Sequence, residues 1–151
     1  MALDLNRAYL QELERRFRDR VQGLEILCGD LDDPAIRFAP VDLIHAALIF
    51  EYVDIELTLM RVREWLRPDG ALWVALQLKD EAVAKISPST FRSLEKLGGS
   101  MKLRDSDHFR EAAATAGLIE NSSEALTLPG GKRFFSACYR AAAFGRPGQK
   151  V

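Results

Sequence analysis

Apolar and polar positions follow two different periods along this chain. In residues 7 to about 20, Leu10, Leu13 and Phe17 recur at three- and four-residue spacing among arginines and glutamates, which predicts a helix with one apolar face. Asn6 is placed to cap it. Residues 24–28 read as a short strand that stops at Gly29-Asp30. Residues 41–50 (VDLIHAALIF) are almost entirely apolar. Such a run predicts a strand buried on both faces, as in a parallel sheet covered by helices. Asp54 can cap a second helix over residues 55–66, with Met60 and Trp65 assigned to the core. Arg67-Pro68-Asp69-Gly70 is a turn signal, and residues 71–78 (ALWVALQL) form a third apolar strand.

Residues 79–104 are less regular. They hold a short helix opened by Ser87-Pro88, a flexible Gly98-Gly99 pair and, taken together, a candidate lid. A further helix starts at Asp105 or Ser106 and runs through Phe109, Ala112, Ala113 and Ala116. Gly117 closes it as a left-handed residue. Residues 118–128 and 132–140 read as two strands joined by Pro129-Gly130-Gly131, a hairpin. A flexible tail is expected from Phe144. Strands alternating with helices predict an α/β fold, a doubly wound and mostly parallel sheet with right-handed crossovers. The antiparallel hairpin at its C-terminal end narrows the choice.

Composition adds exclusions. The chain has 151 residues and a formal net charge of -1. That length suits one domain, here residues 1–143 with residues 144–151 as the tail. The near-zero charge argues against a dedicated nucleic-acid binder. No apolar run reaches the roughly 18 residues a membrane span needs, and the first residues do not read as a signal peptide. Cys28 and Cys138, the only cysteines, sit in apolar runs without a CxxC partner. They are expected to be buried, reduced thiols of a cytoplasmic protein. The two histidines and two cysteines show no metal-ligand spacing. His45 is expected in the core and His108 in solvent.

The residues resemble the class I S-adenosylmethionine-dependent methyltransferases, a Rossmann-like family. Asp4 in Leu3-Asp4-Leu5-Asn6 is similar to the acid that ends the family's second strand, and Gly29-Asp30-Leu31 to the end of the third. The run from Asp42 through Tyr52 resembles the fourth strand. Trp65-Leu66-Arg67-Pro68-Asp69-Gly70-Ala71-Leu72 resembles the helix, Pro-Gly-Gly-like turn and fifth strand. The closing hairpin resembles the sixth and seventh strands. The resemblance covers about residues 3 to 141.

It implies S-adenosylmethionine as cofactor and an unidentified small-molecule acceptor. Asp4 would take the ribose hydroxyls, and Asp30 and Leu31 would lie near the adenine. Ala46 and Ala47 would let backbone approach the cofactor. Glu51 and Tyr52 would face the acceptor, Glu51 as a base, although a surface carboxylate at a strand end is the plainer expectation for it. The family's first strand and its GxGxG-type loop have no counterpart: the chain's ten glycines form no G-x-G. The fold is therefore expected to be truncated at its N-terminus, with weak cofactor binding by the chain alone. In the family order 3-2-1-4-5-7-6 the first strand lies beside the fourth. The 41–50 strand is thus expected to have an open edge, suited to a homodimer or to a missing N-terminal segment. The alternative is a non-catalytic dimerisation or partner-binding module.

Overall fold

The computed structural model describes residues 1–80, 86 and 99–142. They fall into two compact units, divided after Phe38.

The first unit holds β1 (Ala2–Asp4), α1 (Arg7–Phe17) and β2 (Ile26–Cys28). The two strands pair in parallel, with Ala2 opposite Ile26 and Asp4 opposite Cys28. Asn6 caps α1 by accepting from the Ala8 amide at 3.0 Å, as its position in the sequence predicts. The helix stops at Phe17 rather than near Arg20. Only Leu10 of its apolar stripe is buried, and Phe17 is exposed. A unit of this size has too little interior to cover a full helix face. The strand expected over residues 24–28 is shorter than its apolar run, and Cys28 is exposed rather than buried.

The second unit contains β3 (Val41–Ala47), α2 (Ile55–Trp65), β4 (Leu66–Gln77), α3 (Ser106–Thr115), β5 (Leu118–Thr127) and β6 (Arg133–Ala141). The strand order is β3-β4-β6-β5. The β3–β4 pair is parallel, and β6 runs antiparallel to both β4 and β5. This order corresponds to 4-5-7-6 of the resembling family, and β1–β2 to its 2-3 pair. Asp54 caps α2 through the Leu57 amide at 2.8 Å. Asp105 caps α3 through the amides of Asp107 and His108. Gly117 takes a φ of +77°, the left-handed helix end its position predicts.

The core lies on one face of this sheet. Leu72, Val74 and Leu76 of β4 alternate with Phe135, Ala137 and Tyr139 of β6. Phe109 of α3 packs among them, edge-on to Phe50 with ring centroids 4.9 Å apart and 5.8 Å from Tyr139. In α2 the buried residues Ile55, Thr58, Leu59, Val62 and Trp65 follow helical spacing. Met60 lies about 100° round the helix from Leu59 and is 53% exposed, so its assignment to the core is corrected; that of Trp65 stands.

The opposite face is bare among the described residues. His45 of β3, Trp73 of β4, Cys138 of β6 and Ser122 of β5 lie in one cross-strand row. His45 stacks on Trp73 at 4.5 Å. His45 is exposed, and the expectation of a core histidine is overturned. So is that of a doubly buried β3: only Ala46 of its seven residues is buried, and Leu43 is 60% exposed. The cause is position. Among the described residues β3 pairs with β4 alone, and alternation turns Leu43, His45 and Ala47 away from the helices.

Arg67-Pro68-Asp69-Gly70 sits inside β4 rather than between elements. Val41 pairs with Leu66, but Leu43 pairs with Ala71, so these four residues bow out of register. Asp69 takes a φ of +64°, and its carbonyl accepts from Arg140 Nη1 at 2.9 Å. A Cβ on Gly70 would come within 2.9 Å of the Arg67 carbonyl oxygen, which explains a glycine there. The hairpin forms as predicted, with the Leu128 amide donating to Lys132 O at 2.8 Å. Ser87-Pro88, Gly98, most of the 79–104 segment and the tail from Phe144 lie outside the described residues.

Candidate functional site

Two acidic strand ends define the first unit. Parallel strands bring their carboxyl ends to the same edge, and open α/β sheets bind ligands at that edge. Asp4 ends β1, and its carbonyl accepts from the Gly29 amide at 3.1 Å. Its side chain is half-buried. Oδ1 accepts from the Asn6 amide at 2.6 Å, which fixes the carboxylate at the turn into α1. Asp30 stands two residues past the end of β2. Its Oδ1 accepts from the Asp32 amide at 2.9 Å, and its side chain is exposed. Leu31, half-buried, follows it. Asp4 and Asp30 therefore lie at one sheet edge, each oriented by a backbone amide.

The second unit has its own strand-end cluster. Ala46 is buried opposite Val74, and Ala47 is exposed opposite Ala75. Leu48 takes a φ of 56°, an uncommon conformation for a residue with a side chain. Its amide donates to Ala75 O at 2.8 Å. This kink ends β3 and turns the next residues inward: Phe50, Glu51 and Val53 are buried.

Glu51 is fully buried, not the surface carboxylate expected of a strand end. Its Oε1 accepts from the Gln77 amide at 2.6 Å. Its Oε2 is buried with no hydrogen-bond partner among the described residues. Burial pushes its carboxyl above the usual carboxylate range, opposed by the Gln77 amide, by its own backbone amide and by Arg104. Tyr52 is half-buried, and its phenol is raised by burial and then by the neighbouring Glu51. Arg104 holds this turn from outside, with Nε on Phe50 O and Nη2 on Val53 O, both at 2.7 Å. The Lys102 amide donates to Glu51 O at 2.9 Å.

Leu48, Gln77 and Arg104 carried no signal in the sequence. Gln77 and Arg104 act from 26 and 54 positions away, beyond the reach of local spacing. His108, solvent-exposed as expected, meets Glu56 at 3.1 Å. A separate cavity of about 530 Å³ lies between α3 and β5, lined by Arg110, Leu118, Glu120 and Tyr139 among others; it holds none of the residues predicted for the site. Among the described residues, no cluster of histidine, cysteine and carboxylates is arranged to hold a metal ion. No helix there is long and apolar enough to cross a membrane.

Comparison with known proteins adds a family. The family described as Methyltransferase domain matches residues 1–74. No curated protein sequence matches the chain. Among solved structures, a chain of the Haloferax volcanii complex containing the Trm112 methyltransferase activator aligns with a TM-score of 0.70 and 19% identity, covering 93% of this chain and 70% of that one. The geranyl diphosphate C-methyltransferase of Streptomyces coelicolor, bound to Mg2+, geranyl diphosphate and S-adenosyl-L-homocysteine, gives 0.68 and 14%, covering 93% and 61%. The N-methyltransferase NodS of Bradyrhizobium japonicum, bound to S-adenosyl-L-homocysteine, gives 0.66 and 15%, covering 92% and 64%. The chain thus spans about two thirds of the structures it resembles. It shares the fold of these structures, and its first 74 residues match the methyltransferase domain.

Proposed function

We propose that this chain takes part in S-adenosylmethionine-dependent methyl transfer to a small-molecule acceptor. The observation that carries the reading is the pair of oriented carboxylates, Asp4 and Asp30, at the C-terminal edge of the parallel β1–β2 pair, inside the segment matched by the methyltransferase domain. A carboxylate at such an edge accepts hydrogen bonds from ribose hydroxyls. Asp4 fits that role, and Asp30 with Leu31 fits the adenine side. Ala46 and Ala47 leave room for close backbone approach. The chain supplies no G-x-G for the methionine part of the cofactor, so binding by these residues alone is expected to be weak.

The bound cofactor would supply an activated methyl group on a sulfonium. The protein's part is to position the acceptor and exclude water. Tyr52 and Glu51, in the turn after β3, are the residues assigned to the acceptor side. The reading keeps the chain in the cytoplasm, where thiols such as Cys28 and Cys138 stay reduced.

Calorimetric titration with S-adenosyl-L-homocysteine tests it. Weak binding that Asp4→Asn reduces by about tenfold, equivalent to about 1.4 kcal/mol, is the expected result. Binding that ignores both Asp4→Asn and Asp30→Asn removes the ribose and adenine assignments. No heat up to millimolar ligand removes cofactor use by this chain.

The open edge of β3 supports a second element of the proposal, a homodimer. Among the described residues β3 has a neighbour on one side only, and unpaired strand edges recruit other strands. Light scattering at micromolar concentration is expected to give twice the chain mass. A monomer that unfolds cooperatively excludes the dimer.

A further inference from the structure

We propose that the Glu51 side chain is a proton-operated latch: as a neutral acid it holds the turn of residues 48–54 against the end of β4, and loss of its proton frees that turn. The geometry leaves ionised Glu51 poorly compensated. One oxygen accepts from the Gln77 amide, and the other amide contact of the carboxyl among the described residues is with its own backbone. The second oxygen is buried without a partner among the described residues. A buried charge with so little compensation costs far more than a buried neutral group, and such groups neutralise or move into water.

Beyond its own backbone amide, three groups among the described residues face this carboxyl. Gln77 of β4 is neutral and presents its amide. Tyr52 lies on the same turn, and a negative charge on Glu51 disfavours its ionisation. Among the described residues Arg104 is the one cation acting on it, and two of its nitrogens are committed to Phe50 O and Val53 O. Arg104 therefore clamps the backbone of the turn without closing an ion pair on Glu51. Of the hydrogen bonds that fasten the turn, those from Arg104 and from the Lys102 amide go to carbonyls and keep their acceptors at any pH. Only the Glu51–Gln77 bond involves a group that gains or loses a proton.

The sign of the pH effect follows. Burial raises the folded-state pKa of Glu51 above its unfolded value. The stability it contributes is full below the unfolded pKa and is lost as pH rises through the folded pKa. Rising pH is thus the opening signal, and the turn that opens carries Tyr52, immediately beyond the end of β3. The latch does not depend on methyl transfer, and its test needs no activity.

The experiment is carbon-13 NMR of the chain labelled at the glutamate carboxyl carbons, with amide exchange at Gln77 followed over the same pH range. One carboxyl is expected to titrate above every other glutamate and to be missing in Glu51→Gln. Protection of the Gln77 amide, corrected for intrinsic exchange, is expected to fall by about tenfold through that transition. Glu51→Gln, which has no such proton to lose, is expected to keep its protection. Should that variant fail to fold, the coincidence of the two wild-type transitions carries the test alone. The latch is overturned if all glutamates titrate together in the ordinary range. It is equally overturned if Gln77 stays protected through a raised transition.

Discussion

Arg104 donates from Nε to the carbonyl of Phe50 at 2.7 Å, and its Nη2 reaches Val53 O at the same distance. One planar side chain thereby holds both ends of a turn more than fifty positions away. Leu48 ends β3 in a left-handed conformation, and the clamp helps to keep the backbone beyond it folded inward.

Removing that fork is expected to be costly. Hydrogen bonds to charged groups contribute about 1.5–3 kcal/mol each. Because Arg104 is only partly buried, Arg104→Ala is expected to lose about 2 kcal/mol in urea denaturation. Arg104→Lys recovers less than half of this, since an ammonium cannot reproduce the guanidinium fork. A loss below about 0.5 kcal/mol for the alanine variant, the range of ordinary surface changes, would show that the clamp does not hold the turn.

Phe109 is the centre of the helix-covered face, in contact with Phe50 and Tyr139. Phe109→Ala is expected to destabilise the fold by about 3–5 kcal/mol. Trp73→Ala, on the bare face, is expected to cost clearly less despite the larger side chain, because Trp73 is 36% exposed. Equal losses in denaturation would mean that the bare face is covered in solution.

Gly70 has no room for a side chain beside the Arg67 carbonyl. Gly70→Ala is expected to cost about 1–3 kcal/mol, the range for overpacking, read as a lowered denaturation midpoint at unchanged slope. An unchanged midpoint would mean that the four-residue bow in β4 is free to shift.

Glu120 supplies the acid-side counterpart of Glu51. Its carboxyl is held below the usual range chiefly by the Ser123 hydroxyl, with Arg110 and Tyr139 adding to the effect. A lowered folded-state pKa gives stability that is present above the unfolded pKa and lost as pH falls through the folded pKa. Glu120→Gln is therefore expected to flatten the acid limb of a stability–pH curve and leave the alkaline limb unchanged. An unaltered acid limb would show that this carboxylate is fully screened by water.

The helices and the hairpin were legible because their signals are local. Asn6, Asp54 and Asp105 each cap the helix that follows them, Gly117 takes the left-handed conformation its position implies, and the turn at residues 129–131 joins two antiparallel strands. The end of the strand before Asp30 was legible in the same way, whereas the strand read over residues 41–50 ends at Ala47 and the strand end at Asp4 was implied only by the resemblance. Burial was not legible. The apolar run of residues 41–50 reads as a core strand, yet His45 and Leu43 face outward, because the strand has one neighbour and its second face has no helix among the described residues. Met60 failed for a related reason: an apolar residue in a helix is buried only on the side that meets a partner.

By itself the sequence determined the order of elements, their caps and turns, and the resemblance to a methyltransferase sheet, since each depends on residues a few positions apart. Tertiary structure alone decided that Glu51 is buried on the Gln77 amide, that Arg104 clamps the turn around it, and that one sheet face is bare among the described residues. Those facts depend on which distant segments come together, and hydrophobic pattern records a residue's preference for burial but not the neighbour that provides it.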